Sequence, residues 1–114
     1  MKQVVASVEE VVTVLKLLGD KTRLTIMALL DNNDCCVCEL VEIFQMSQPA
    51  ISQHLRKLKD AGLVKETRKA QWIFYSMNKE HEMYSLIKDI LAHIPDQQER
   101  LKELEKKGTK ISCE

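Results

Sequence analysis

The hydrophobic period changes twice along this chain, and that change does most to limit its fold. Val8, Val11, Val12, Leu15 and Leu18 recur at helical spacing up to Gly19, as one face of an amphipathic helix does. Leu63–Thr67 and Trp72–Ser76 are instead short and rich in β-branched and aromatic residues. They flank the polar run Arg68-Lys69-Ala70-Gln71, which predicts a β-hairpin. Helical spacing then returns with Met83, Leu86, Ile87, Ile90, Leu91 and Ile94, until Pro95 ends or kinks the helix.

Between the first helix and the hairpin the same spacing predicts three more helices. Asp20 is placed to cap one carrying Leu24, Met27, Ala28 and Leu30, and Asp31-Asn32-Asn33-Asp34 stops it. A short helix carries Leu40, Val41, Ile43 and Phe44. After Met46, Ser47 serves as a cap and Pro49 suits the first turn of a helix with Ile51, Leu55 and Leu58 on one side, closing at Gly62. A short helix joined through a few residues to a Pro-started helix is a helix-turn-helix. With the hairpin behind it, the expected fold is mainly α (α+β): a winged helix-turn-helix of about five helices and a two-stranded wing. At 114 residues and 45% hydrophobic, the chain has room for one packed domain. That domain is expected over 1–95, with a highly charged helical extension over 96–114.

No run of about 18 apolar residues exists to span a membrane, and Glu9 and Glu10 interrupt the N-terminal stretch before a signal-peptide core forms. A cytoplasmic location is expected, where thiols stay reduced. The four cysteines then read as something other than a disulfide framework, and Cys35, Cys36 and Cys38 lie within four positions. Thiolates at such spacing suit thiophilic ions: As(III), Cd(II), Pb(II), Zn(II) or Cu(I). Cys36 and Cys38 are two apart, so they diverge on a regular helix and share a side on an extended chain. One ion therefore binds both only where the helix start is unwound. Ion capture would then disturb the helix-turn-helix and favour a form that binds DNA poorly. Buried structural cysteine and a thiol redox sensor are the alternatives for the same residues.

The formal net charge is zero, but the charges are not mixed evenly. From Ser47 to Lys69, Arg56, Lys57, Lys59, Lys65, Arg68 and Lys69 face only Asp60 and Glu66, a local +4. From Asp31 to Met46 there are only Asp31, Asp34, Glu39 and Glu42, a local −4. Lysine and arginine at such a place supply phosphate contacts. Short hydrogen-bonding side chains near the start of a reading helix meet base edges. The DNA-binding candidates are thus Ser47, Gln48, Ser52, Gln53, His54, Arg56 and Lys57 on the helix, with Arg68, Lys69 and Gln71 on the wing.

Over roughly residues 10–80 the chain resembles the ArsR/SmtB family of metal-responsive repressors. Leu18-Gly19-Asp20-Lys21-Thr22-Arg23-Leu24 resembles the family's helix junction, and Cys36-Val37-Cys38-Glu39-Leu40 its "CVCDL" metal box. Ser47–Leu55 resembles its reading helix, and Gly62-Leu63-Val64 leads into a wing ending Phe74-Tyr75. The resemblance implies a homodimer formed by the first and last helices, bound to a pseudo-palindromic operator and released by metal. It implies As(III) first, with Cd(II) and Pb(II) behind it because this N-terminus lacks the extra cysteines of cadmium-type sensors. Val41 stands where arsenic sensors often have a third cysteine, which leaves Cys35 and Cys113 as further candidates beside Cys36 and Cys38. Of the family's zinc positions on the last helix, an ungapped reading gives Lys79, His81, Ala92 and Pro95, and only His81 fits. His81 and His93 therefore read as surface residues. The wing tip also lacks the glycine often found there.

No catalytic residues and no small-molecule substrate are expected. A thiol oxidoreductase would want a CxxC beside a βαβ unit or a nucleophilic cysteine in a phosphate loop, and neither is present. A thiol metal carrier could use the cysteines, but it gives no reason for a basic reading helix.

Overall fold

Capping side chains close to each boundary start the first two helices. Ser7 Oγ accepts from the Glu10 amide at 3.1 Å while Glu10 Oε1 accepts from the Ser7 amide at 2.9 Å, a reciprocal cap that begins α1 (Val8–Leu18). Asp20 Oδ2 accepts from the Arg23 amide at 3.0 Å and begins α2 (Lys21–Leu30). That donated bond holds the Asp20 carboxyl below the usual aspartate range. This computed structural model describes residues 6–95 and residue 97. The expected charged extension, with Cys113, lies outside the described residues apart from Gln97.

A short strand follows, β1 (Cys35–Cys36), and then α3 (Val37–Phe44), α4 (Gln48–Asp60), β2 (Val64–Lys69), β3 (Trp72–Met77) and α5 (Tyr84–Leu91). The winged helix-turn-helix expected from the sequence is present, with one addition. The two-stranded hairpin of β2 and β3 is present, and β1 joins it on the β3 side to make a three-stranded antiparallel sheet of order β1-β3-β2. β1 pairs Cys35 with Tyr75 and Cys36 with Phe74. Two residues carry no readable period, so this strand has no local signature. The last helix is also shorter than its apolar stripe. Beyond Leu91, the His93 amide bonds to the Ile90 carbonyl at 3.0 Å and that of Ile94 to Leu91 at 3.3 Å. The chain thus tightens to i→i−3 spacing before Pro95.

The core is built where the apolar faces of α2 and α4 meet the sheet. Ile26, Met27 and Leu29 from α2, Leu40 from α3, Ile51, Leu55 and Leu58 from α4 and Leu63 are fully enclosed, and Ile87 of α5 is nearly so. α1 adds Val14 and Leu18, yet leaves Val8 73%, Leu15 50% and Val12 38% exposed. Its stripe is therefore split, half inside the protomer and half outside. Lys88 joins α5 to the end of α2 through both Asp31 carboxylate oxygens at 3.1 Å.

Two positions with positive φ shape the reading unit. Gln45, at φ 53°, ends α3 in the left-handed region, and Ser47 Oγ then accepts from the Ala50 amide at 3.3 Å to begin α4, with Pro49 in its first turn. At the far end of α4, Gly62 takes φ 79°. Its amide reaches the Lys59 carbonyl at 2.8 Å and the Leu63 amide reaches that of Leu58 at 2.9 Å, the double bond of a Schellman ending. A Cβ at Gly62 would stand 3.3 Å from His81 Cδ2. Gly62→Ala is therefore expected to destabilise the fold by about 1–2 kcal/mol, read as a lower midpoint in urea unfolding.

The wing turn lacks glycine, and the structure resolves how it closes. Lys69 pairs with Trp72 across a two-residue loop, and Ala70 adopts φ 54°. An alanine there carries Cβ strain that glycine would not. Set against glycine's greater entropy in the unfolded chain, Ala70→Gly should raise stability by about 0.5–1 kcal/mol. A thermal midpoint that falls would contradict this.

Candidate nucleic-acid interface and adjoining dithiol cavity

Helix α4 divides by periodicity into a buried and an open face. Ile51, Leu55 and Leu58 turn inward, whereas Ser47, Gln48, Gln53, Arg56 and Lys57 are exposed and Ser52 is half-buried. On the wing, Arg68, Lys69 and Gln71 are exposed, and the Lys69 ammonium lies 5.3 Å from the centre of the Phe74 ring. The structure therefore brings nine of the ten DNA-binding candidates to the open side of the reading helix and the wing.

His54 is the exception. Its ring is half-buried, with Nδ1 accepting from the Arg23 guanidinium at 3.1 Å and lying 3.9 Å from Asp20 Oδ2. Arg23 Nε in turn donates to the Leu17 carbonyl at 2.8 Å. Asp20, Arg23 and His54 thus form a polar junction that seats α4 against the α1–α2 corner. Sequence reading missed this role for Arg23 and His54, although the Gly19-Asp20-Lys21-Thr22-Arg23 motif was its visible half.

Charge pairing also sorts the basic segment. Lys59 Nζ lies 2.7 Å from Glu66 Oε1, and Tyr75 donates to the same oxygen at 3.4 Å, which ties α4 to the wing. This partnership holds the Lys59 ammonium above the usual lysine range and the Glu66 carboxyl below that of glutamate. Lys65 pairs with Glu80 at 2.7 Å. Arg56 has only a loose, exposed contact with Asp60 at 3.9 Å, worth little in water. Arg56, Lys57, Arg68 and Lys69 are thus the cations placed to meet a polyanion.

Beside this surface lies the cysteine cluster, and β1 separates its members. Successive residues of a strand face opposite ways. Cys35, 0% exposed, is a thiol within the apolar core, with Sγ 4.0 Å from the Asn33 carbonyl. Cys36 faces the other way, into a cavity of about 520 Å³ that Cys38 also lines. Both of these sulfurs are disulfide-bonded. Since the chain has four cysteines and Cys35 is not in a disulfide, the bond joins Cys36 to Cys38. The reason is backbone geometry. Cys36 is extended, at φ −88° and ψ 162°, as the N-cap of α3, and Cys38 sits in its first turn. The pair therefore straddles a strand-to-helix boundary, where side chains two apart can converge without unwinding a formed helix. The Cys36 amide donates to Oε1 of the buried Glu39 at 2.9 Å, which pins the junction.

The cavity is a seam between the Cys36–Cys38 pair and the elements of the candidate DNA-binding surface. Val37 and Val41 of α3 and Trp72 and Ile73 of β3 form its apolar side, while Glu42, Gln48 at the start of α4 and Gln71 at the wing tip supply polar groups. Among the described residues, no group of three or more His, Cys, Asp or Glu side chains is placed to hold a metal ion. His93 is exposed as expected. His81 is not a simple surface residue: Nδ1 accepts from the Met83 amide at 3.0 Å, and Nε2 lies 3.2 Å from the Ala61 carbonyl. Both ring nitrogens serve the α4–α5 connection. No helix among the described residues is long and apolar enough to cross a membrane.

A capped reading helix with a polar, basic open face, flanked by a basic wing, defines a DNA-binding transcriptional regulator of the winged helix-turn-helix class. Residues 20–66 match the family described as "Bacterial regulatory protein, arsR family". The arsenical resistance operon repressor of Staphylococcus aureus is 35% identical over 88 residues, covering 77% of this chain and 80% of that protein. The arsenic resistance transcriptional regulator ArsR1 of Pseudomonas putida is 41% identical over 68 residues, 59% of this chain and 53% of that protein, so the chain spans about half of that relative's length. Among solved structures, HlyU from Vibrio cholerae superposes with a TM-score of 0.65 at 34% identity, covering 72% of this chain and 88% of that one. The chain belongs to the arsR family of bacterial regulatory proteins.

Proposed function

We propose that this protein is a transcriptional repressor that binds operator DNA as a homodimer in the cytoplasm and is released when its thiolates coordinate As(III) or another thiophilic ion. Cd(II), Pb(II), Zn(II) and Cu(I) are the other ions such ligands suit. The observation that carries this reading is the shared cavity: Cys36 and Cys38 line the same space as Gln48 of the reading helix and Gln71 of the wing. An ion held there changes the footing of both DNA-contacting elements. Cys36 and Cys38 supply two thiolates, and Cys35 and Cys113 are the candidates for a third. For DNA, Ser47, Gln48, Ser52 and Gln53 are assigned to base edges and Arg56, Lys57, Arg68, Lys69 and Gln71 to the backbone and minor groove. His54 acts through α4's seating.

Dimerisation is supported by the outer half of the α1 stripe, Val8, Val12 and Leu15, which the described protomer leaves 73%, 38% and 50% exposed. The relatives named above for arsenic resistance support the choice of As(III). A redox reading of the same thiols has one observation in its favour, the Cys36–Cys38 disulfide, and in that version oxidation rather than ion capture releases the operator.

The test uses DNA selected from a random duplex pool by the phosphine-reduced protein. Arsenite should release that DNA at concentrations near those of the protein. Release by a mild oxidant with indifference to arsenite would favour the redox version. No selection of any sequence would overturn the repressor reading.

A further inference from the structure

One acidic side chain stands inside the basic surface, and its partners indicate what it does there. From Ser47 to Lys69 the carboxylates are Asp60 and Glu66 only. Asp60 is open to water and 3.9 Å from Arg56, so it restrains that cation little. Glu66 is held more closely. Its Oε1 lies 2.7 Å from Lys59 Nζ and accepts from the Tyr75 hydroxyl at 3.4 Å. Tyr75 is also its direct cross-strand partner in the β2–β3 register. The Glu66 side chain is 26% exposed, against 82% for Glu80 in the other lysine pair.

Lys59 occupies a place from which a phosphate contact is expected. It follows Ser52 by seven residues, close to two helical turns, and Arg56 by three. It therefore continues the open face of α4 on the side toward the wing, where it meets Glu66. Arg68 follows Glu66 by two residues and so leaves β2 on the same side, and its charge also acts on the Glu66 carboxyl. A cation, an anion and a cation thus run from reading helix to wing. A Lys59 drawn to DNA would leave the Glu66 carboxylate behind with one long hydroxyl contact, close to the phosphates that it repels.

We propose that Glu66 limits the DNA affinity of this protein by withholding Lys59 from the phosphate backbone. The inference rests on the reading of α4 and the wing as the DNA-binding surface, and adds the residue that holds its grip in check. Phosphate contacts carry no sequence information, so Glu66 lowers affinity for every duplex alike. The choice of operator stays with the base-facing side chains of α4. On non-operator DNA, where phosphate contacts supply nearly all of the attraction, the protein is thereby held less firmly.

The test compares the reduced full chain with its Glu66→Gln variant on two duplexes, one selected by the unaltered protein and one of unrelated sequence. Glutamine keeps the side-chain length and an oxygen for Tyr75, and surface ion pairs add little to folding, so the variant folds. Its slope of log affinity against log salt should steepen by about 2, because a homodimer gains two phosphate contacts at about −0.9 each. Affinity near 100 mM salt should rise about 10- to 100-fold on both duplexes, with the preferred sequence unchanged. Adding Lys59→Gln to Glu66→Gln should return slope and affinity to those of the unaltered protein. Glu80→Gln makes the same change in net charge but frees Lys65, which leaves β2 on the side opposite Glu66. Its slope should stay where it was. An unchanged slope in Glu66→Gln, a steeper one that persists in the double variant, or equal steepening in Glu80→Gln would overturn the inference. Weaker binding with an altered sequence preference would make Glu66 a brace for the wing and overturn it too. If neither protein holds either duplex at 50 mM salt, the DNA-binding reading falls and the inference falls with it.

Discussion

Raising salt from 50 to 200 mM should weaken operator binding by the reduced protein about 10³-fold. The figure assumes about six phosphate contacts, each contributing about −0.9 to the slope of log affinity against log salt. Pairing inside the protomer limits which cations supply them. Lys59 and Lys65 are held by Glu66 and Glu80 at 2.7 Å, which leaves Arg56, Lys57, Arg68 and Lys69 on the open surface. In a homodimer these four are doubled, so six contacts use most but not all of the available set. A double variant, Arg68→Ala with Lys69→Ala, should then lower the slope by about 2–4 while leaving the preferred sequence unchanged. Gln53→Ala should do the opposite, relaxing sequence choice by about 1–3 kcal/mol at one base pair with little change in slope. A flat salt response in the unaltered protein would sink the electrostatic assignment.

Cys36→Ser and Cys38→Ser should each abolish arsenite release and leave operator affinity within a few fold. Serine keeps the size of the side chain but not the soft donor that arsenic prefers. Neither sulfur belongs to the open face of α4, so DNA contacts survive. Cys36 is 1% exposed, and burying a hydroxyl there costs about 1–3 kcal/mol. Unfolding midpoints must therefore accompany the release assay. The same pair of assays tests the third ligand: loss of arsenite response in Cys113→Ser points to the tail, and loss in Cys35→Ala with the fold intact points to the core thiol. A Cys36→Ser protein that still released DNA on arsenite would place the switch elsewhere.

Much of the candidate surface is legible in the amino-acid order. Ser47, Pro49 and Gly62 mark the ends of α4 through interactions that span no more than five residues. The spacing of Ile51, Leu55 and Leu58 then decides which side of that helix stays open. With the inner side assigned, Gln53, Arg56 and Lys57 have only the outer one. His54 escaped this logic because its partner, Arg23, is 31 residues away and sits on another helix. The wing was legible as a hairpin from its β-branched and aromatic runs, but its closure by Ala70 was not, since nothing local marks an alanine for positive φ.

The cysteine cluster divides most sharply between the two kinds of information. By itself the amino-acid order determined that three thiols crowd into four positions beside acidic residues and next to a basic reading helix. It could not say which thiols share a side, because that depends on whether Cys35 and Cys36 are helical or extended. Tertiary structure decided it: β3 pairs with Cys35 and Cys36 through Tyr75 and Phe74, and the pleat of the new strand sends one sulfur into the core and the other into the cavity. A two-residue strand has no period of its own. Its conformation comes from the hydrogen bonds of a distant partner, so the placement of these side chains is decided only when the wing folds back on them.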